Sequence, residues 1–275
     1  MKLTLKSIAT VTALMLFNVS LVSTISAQTD QQEKLPSALE IMKKHVAETG
    51  GVENYKAVKS MMAEGTMSIP QAGINGEMTM KMMLPGKLAV EATIPGIGET
   101  VQGSNGEFMW SSDPMTGTKL IDGKQAEQMK TQADYKRYTN PKEVFKSMKT
   151  VGIEEANGEK AYKLELERKS GDKLTEFYSV ESGLLIQSVM KVEAAGMGEM
   201  EITTKIGDYK KTGKLLAAHK LVQVLPSVGM EQIIEFSKLE YNSDSVKEAD
   251  FAPPADVQKM IDKKKSKKSD EKEID

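Results

Sequence analysis

Glu77-Met78-Thr79-Met80-Lys81-Met82-Met83-Leu84-Pro85-Gly86-Lys87-Leu88-Ala89-Val90-Glu91-Ala92-Thr93-Ile94 is two alternating runs joined by a proline–glycine turn. Met78, Met80 and Met82 alternate with Glu77, Thr79 and Lys81, and Leu88, Val90, Ala92 and Ile94 alternate with Ala89, Glu91 and Thr93. Successive side chains of an extended strand point to opposite faces, so this period predicts antiparallel strands with one apolar and one wet face.

The same period extends outward in both directions. Met61, Ala63, Gly65, Met67 and Ile69 share a face upstream. Downstream, Tyr162, Leu164 and Leu166 stand against Lys163, Glu165 and Glu167, and Met200, Ile202, Thr204 and Ile206 stand against Glu199, Glu201, Thr203 and Lys205. Asn105-Gly106, Asp113-Pro114-Met115-Thr116-Gly117, Asn157-Gly158, Ser170-Gly171-Asp172 and Ser182-Gly183 supply turns between the runs. Strands at hairpin spacing predict a large, curved antiparallel sheet, and no strand–helix–strand alternation supports a doubly wound nucleotide fold.

Helical signals are few, so the class expected is mainly β with some helices (α+β). Pro36 suits a first helical turn, Leu39, Met42 and Val46 recur on one face, and Gly50-Gly51 ends the run. Lys124 to Arg137 carries Ala126, Met129 and Ala133 without glycine or proline, and Pro141 opens a second short helix through Val144, Phe145 and Met148. Helices set within a meander must cover something, and one face of the sheet is the available surface.

The two ends read differently. Lys2 and Lys6, an apolar stretch from Ile8 to Leu21 and the small residues Ser23, Thr24, Ser26 and Ala27 have the order of a secretory signal peptide removed after Ala27. Positions 28–34 then form a linker, 35–262 the domain, and 263–275 a charged, disordered tail that opens with Lys263-Lys264-Lys265. No later stretch is apolar enough to span a bilayer, so the processed chain is expected to be periplasmic with no transmembrane span.

Composition removes several chemistries. There is no cysteine, hence no disulfide, thiolate or acyl attachment site, and His45 and His219 stand far apart, so no metal site is expected. Loss of Lys2 and Lys6 takes the formal charge from −2 to −4, which argues against a nucleic-acid partner. No nucleophile elbow, phosphate loop or zinc helix is present. The paired acids Glu154-Glu155 would point to opposite strand faces, so neither an enzyme nor a cofactor is expected.

Methionine is the unusual residue, at 19 in the chain, while aromatics make up only 5%. Its flexible side chain adapts to irregular apolar partners, and two readings fit: a binding surface for interchangeable apolar cargo, or an ordinary core.

The order of the turns and strands carries a resemblance over roughly Leu35 to Met260. Gly50-Gly51 is followed by Val58-Lys59-Ser60, Leu84-Pro85-Gly86-Lys87 and Gly103-Ser104-Asn105-Gly106-Glu107-Phe108-Met109-Trp110. After the mid-chain helices come Phe177-Tyr178-Ser179-Val180 and Ser182-Gly183-Leu184-Leu185. In this order the chain resembles the outer-membrane lipoprotein-sorting (LolA-like) family. The resemblance implies an open half-barrel whose apolar concave face is covered by lid helices and shelters lipid or lipoprotein acyl chains. It also implies an inner-membrane transporter and an outer-membrane acceptor as partners. On it, the groove would be lined by Met61, Met67, Met78, Met80, Met82, Leu88, Val90, Trp110, Leu164, Met200 and Ile202, and the lid would present Met129, Ala133, Val144, Phe145 and Met148. One position departs: family carriers commonly hold the lid with an arginine where this chain has Leu84. The alternative on the same fold is a non-catalytic envelope scaffold or sensor without lipid cargo.

Overall fold

The structure is a computed structural model and describes residues 34–132, 135–194 and 198–272. The expected signal peptide, the first six residues of the expected linker and Ala133 lie outside the described residues.

Thirteen strands form one antiparallel sheet. The first wing holds β1 (Ser60–Ile69), β2 (Ile74–Met83), β3 (Lys87–Ile94), β4 (Gly98–Asn105), β5 (Met109–Asp113) and β6 (Gly117–Ile121). The second wing holds β7 (Phe145–Ala156), β8 (Glu159–Arg168), β9 (Lys173–Ser179), β10 (Leu185–Ala194), β11 (Gly198–Thr212), β12 (Leu215–Leu225) and β13 (Met230–Tyr241). Each wing is a meander, and the two join where β1 pairs with β13. The edge strands β6 and β7 do not pair, so the sheet stays open. Its class is the expected α+β half-barrel.

Local chemistry places the strands as read. Asn157 and Gly158 both take positive φ, 48° and 81°, as the tight hairpin between β7 and β8 requires. Where β1 meets β13 the register slips by one residue between Glu64 and Gly65. A Cβ on Gly65 would lie 2.1 Å from the Glu235 carbonyl oxygen, so only glycine allows the bulge there.

The concave face is covered by helices from two places in the chain. α1 (Ala38–Glu48) is opened by Ser37, whose hydroxyl accepts from the Glu40 amide while its own amide donates to the Glu40 carboxylate at 2.8 Å. Its buried side carries Ile41, Met42, His45 and Val46. The short α2 (Val52–Lys56) follows. Between β6 and β7 come α3 (Gly123–Gln132), α4 (Lys136–Thr139) and α5 (Pro141–Val144).

Two expectations change here. Phe145 and Met148 belong to strand β7, not to a lid helix. A bulge between Phe145 and Ser147 puts these residues, three apart, on one face, and the pair imitates helical spacing. The run beginning at Lys263 is not a separate tail: it continues α6 (Ala255–Lys272), whose Val257 and Ile261 are buried against the convex face.

Candidate functional site

The apolar parities of β1, β2, β3, β12 and β13 face inward and leave a trough of about 690 Å³ toward the end of the sheet where β1 finishes, here called the upper end. Met67, Met78, Met80, Leu88 and Val90 line it from one side, and Leu221, Ile234 and Phe236 from the other. Gln102, Gln223 and Gln232 give it polar margins, and Asp113 is the single charged residue among those lining it. Cross-strand pairing shows how the face arises: Met67 sits opposite Ile234, Met78 opposite Ala92, and Met80 opposite Val90. The volume lies within the roughly 300–1,000 Å³ range of small-molecule sites.

The lower end of the same face is closed. Tyr55 of α2 stacks on Tyr138 of α4, ring centroids 4.6 Å apart, and Tyr135 meets Tyr138 edge-on at 5.8 Å. These rings pack with Val46, Val58, Leu215 and Tyr241. Leu84 joins this apolar cluster. Nearer the other edge, α3 rests Ala126 and Met129 on Met109 and Ile121 of β5 and β6. Its Gln128 amide donates to Asp172 at 3.0 Å and to the Lys191 carbonyl at 3.2 Å, both on the second wing. The insertion therefore bridges the two wings on the side where the edge strands β6 and β7 do not pair.

A buried ion pair fastens it. Arg137 of α4 donates to Glu176 of β9 at 2.6 Å, with the two side chains 11% and 1% exposed. The Tyr178 hydroxyl donates to the second Glu176 oxygen at 2.7 Å. Burial pushes the Glu176 carboxyl up, but the Arg137 charge and hydrogen bond outweigh it and hold the group below the usual carboxylate range. His45 lies beside the pair, its ring 5.4 Å from that of Tyr178. Burial, then the Arg137 charge, lowers its pKa to about 4, so it is neutral at pH 7. As a neutral ring its Nδ1 accepts from the Leu185 amide at 3.2 Å.

The residues proposed from sequence divide by depth and by face. Met67, Met78, Met80, Leu88 and Val90 line the trough. Met61 and Met82 share its face but are buried, Met61 with the Tyr135 hydroxyl 3.9 Å from its sulfur. Leu164 is fully buried under α1, in the cluster with Ile41, Met42 and Tyr178. Met200 and Ile202 belong to β11 on the second wing, away from the trough. Trp110 is on the wrong side: it is buried against Val257 and Ile261 of α6. Gly103, its cross-strand neighbour, makes the room, since a Cβ there would come 2.3 Å from the indole ring. Of the lid residues, Met129 and Val144 pack as partly buried side chains beneath the insertion. Glu154 is exposed and engages Lys163 at 2.9 Å.

The Arg137–Glu176 pair and the lid tyrosines are absent from the sequence reading. Signals for both exist: Leu174, Glu176 and Tyr178 share one parity, so a lone acid occupies a core-facing position, and Tyr135-Lys136-Arg137-Tyr138 stands within an insertion between strands.

No family model matches the sequence, and no curated protein matches it. Solved structures do. A DUF1329 family protein from Desulfovibrio piger superposes with a TM-score of 0.51 at 15% identity, over 79% of this chain and 98% of that one. A LolA superfamily protein from Nitrosomonas europaea gives a TM-score of 0.51 at 12% identity, over 80% and 99%. At these identities the likeness concerns architecture, and the fold is LolA-like.

Proposed function

We propose that the chain is a non-catalytic carrier that shelters an apolar acyl chain in the trough where the two wings meet. The observation that carries this reading is the trough itself, open, lined by methionine and aliphatic side chains, and bordered by amides with Asp113 as its single charge. Each methylene kept from water is worth about 0.8 kcal/mol, so an acyl chain of roughly sixteen carbons gains on the order of 12 kcal/mol from such shelter. Methionine side chains bend to fit cargo of varied length and saturation.

The cargo would be a lipid or the acyl chains of a lipoprotein. The sequence order of residues 1–27 supports export to the periplasm, where a transporter in one membrane and an acceptor in the other would be the partners. No helix among the described residues is long and apolar enough to cross a membrane.

A titration with a fluorescent fatty-acid analogue tests the reading, with a thermal melt on the same sample. Met80 is half-buried in the trough, so Met80→Asp should leave the protein folded and abolish binding, because an ionised carboxylate there pays a desolvation cost. A wild type that never binds the analogue, together with a Met80→Asp protein that unfolds, would assign the trough to an ordinary core and favour the scaffold alternative.

A further inference from the structure

Four hairpins of the trough wall turn at the upper end of the sheet. Their tips read Ile69-Pro70-Gln71-Ala72-Gly73-Ile74, Ile94-Pro95-Gly96-Ile97-Gly98, Asp113-Pro114-Met115-Thr116-Gly117 and Leu225-Pro226-Ser227-Val228-Gly229-Met230. The first, second and fourth hold no charged residue, in a chain that is 28% charged, and the third holds one, Asp113, whose carboxylate accepts from the Met115 and Thr116 amides of its own turn. The turns at the lower end of the same strands differ, carrying Lys87, Glu107, Lys214 and Asp244. Surface turns ordinarily use polar residues, so apolar residues in four separate tips at one end mark a common environment.

Two of the tips share one backbone. Pro70–Ala72 and Pro226–Val228 each form a 3-10 turn closed by a left-handed glycine, Gly73 at φ 65° and ψ 20°, Gly229 at φ 63° and ψ 31°. They are neighbours across the β1–β13 pairing, and the Glu231 amide donates to the Gln71 side chain at 3.2 Å. The tips are continuous with the trough: Ile97 and Met115 line its mouth, and Met115 is 83% exposed.

We infer that this apolar rim seats the protein on the interfacial layer of a lipid bilayer, with the trough mouth facing the acyl region. The inference builds on the carrier reading, since a seated mouth lets an acyl chain enter without crossing water. A rim whose one carboxylate is taken up by its own turn suits a neutral interface and offers little complement to a charged protein surface. The Lys-rich part of α6 would act differently. Lys264 and Lys265 pair with Asp122 and Glu107 toward the lower end, and attraction through lysines needs anionic lipid and is screened by salt.

The test is flotation of the processed protein, purified from its native envelope, with phosphatidylcholine vesicles. Ala72, Pro95 and Ser227 are exposed and do not line the trough, so Ala72→Glu, Pro95→Glu and Ser227→Glu are combined in one variant. The wild type should float, and should still do so in about 0.5 M salt, where charge attraction is screened. The variant should lose partition by on the order of tenfold or more, because carboxylates resist the interface, while its fatty-acid titration in solution stays unchanged. Absence of wild-type flotation, equal flotation of the variant, or flotation that needs anionic lipid and fails in salt would each overturn the rim. So would a dimer in solution that the glutamates abolish without any flotation, which would assign the tips to a second copy. Glutamate-sensitive flotation by a protein that binds no fatty acid would uphold the rim and remove the carrier reading.

Discussion

Replacing Arg137 by Met keeps an aliphatic stem in the lid and leaves Glu176 as a buried carboxylate. Removing one member of a buried pair costs about 3–5 kcal/mol, because the other charge stays out of water without its partner. Glu176 is 1% exposed but retains the Tyr178 hydroxyl and the favourable charge of Arg168, which points to the lower figure, about 3 kcal/mol. The residues pin α4 to β9, so the cheapest relief is for the insertion to lift and let water reach the carboxylate. Opening that becomes about 3 kcal/mol easier raises its population by roughly a hundredfold. Hydrogen exchange at the amides of Tyr138 and Asn140, which donate to Tyr135 and Lys136, reads this directly. Those amides should exchange up to about a hundredfold faster in Arg137→Met, with much smaller changes at β8. Glu176→Gln should behave similarly. The double variant should recover about 2 kcal/mol relative to the sum of the single changes, the coupling expected of side chains in contact. Additivity within about 0.5 kcal/mol, or α4 exchange unchanged in Arg137→Met, would refute the latch.

Three further outcomes follow from the same geometry. In the wild type, the insertion over α3 and α5 should exchange faster than the strands around Leu164 and Ile202, and should slow when cargo binds; equal protection with and without lipid would remove the lid. Folded His45 holds its proton more weakly than the ordinary value of 6.5, at about 4, so the unfolded chain takes up more protons in that window. Stability should therefore be intact above about pH 6.5 and fall as pH drops toward 4, by about 3 kcal/mol in all, with Glu176 adding a loss further into acid. Denaturant midpoints across pH for wild type and His45→Gln should show this slope in the first and a flatter one in the second. Trp110→Ala should cost about 3–5 kcal/mol in a thermal or chemical melt, as a large buried side chain does, while fatty-acid affinity stays the same. Weakened binding would return Trp110 to the groove.

The alternation of Met78, Met80 and Met82 against Glu77, Thr79 and Lys81, and the Asn157-Gly158 turn, were legible because strand pleat and turn dihedrals are set by neighbours in sequence. The sheet, its apolar parity and the place of most hairpins followed from the amino acids alone. Which parts of that parity remain open did not. Met80 and Met82 are equivalent in the alternation, yet one lines the trough and the other is buried, paired across strands with Met61, whose sulfur meets the hydroxyl of the distant Tyr135. Trp110 shows the same limit. Its strand parity opposes that of Met109, but both faces of β5 are covered, one by α3 and the other by α6, so burial alone does not separate groove from outer packing. The Phe145–Met148 spacing read as a helix because a bulge shifts strand parity by one residue, and backbone pairing with β8 decides that shift. Glu176 became a latch only when Arg137 was carried across the sheet to it. Periodicity along the chain reports which side of a strand is apolar; what then covers that side depends on contacts between distant segments, and packing alone selects them.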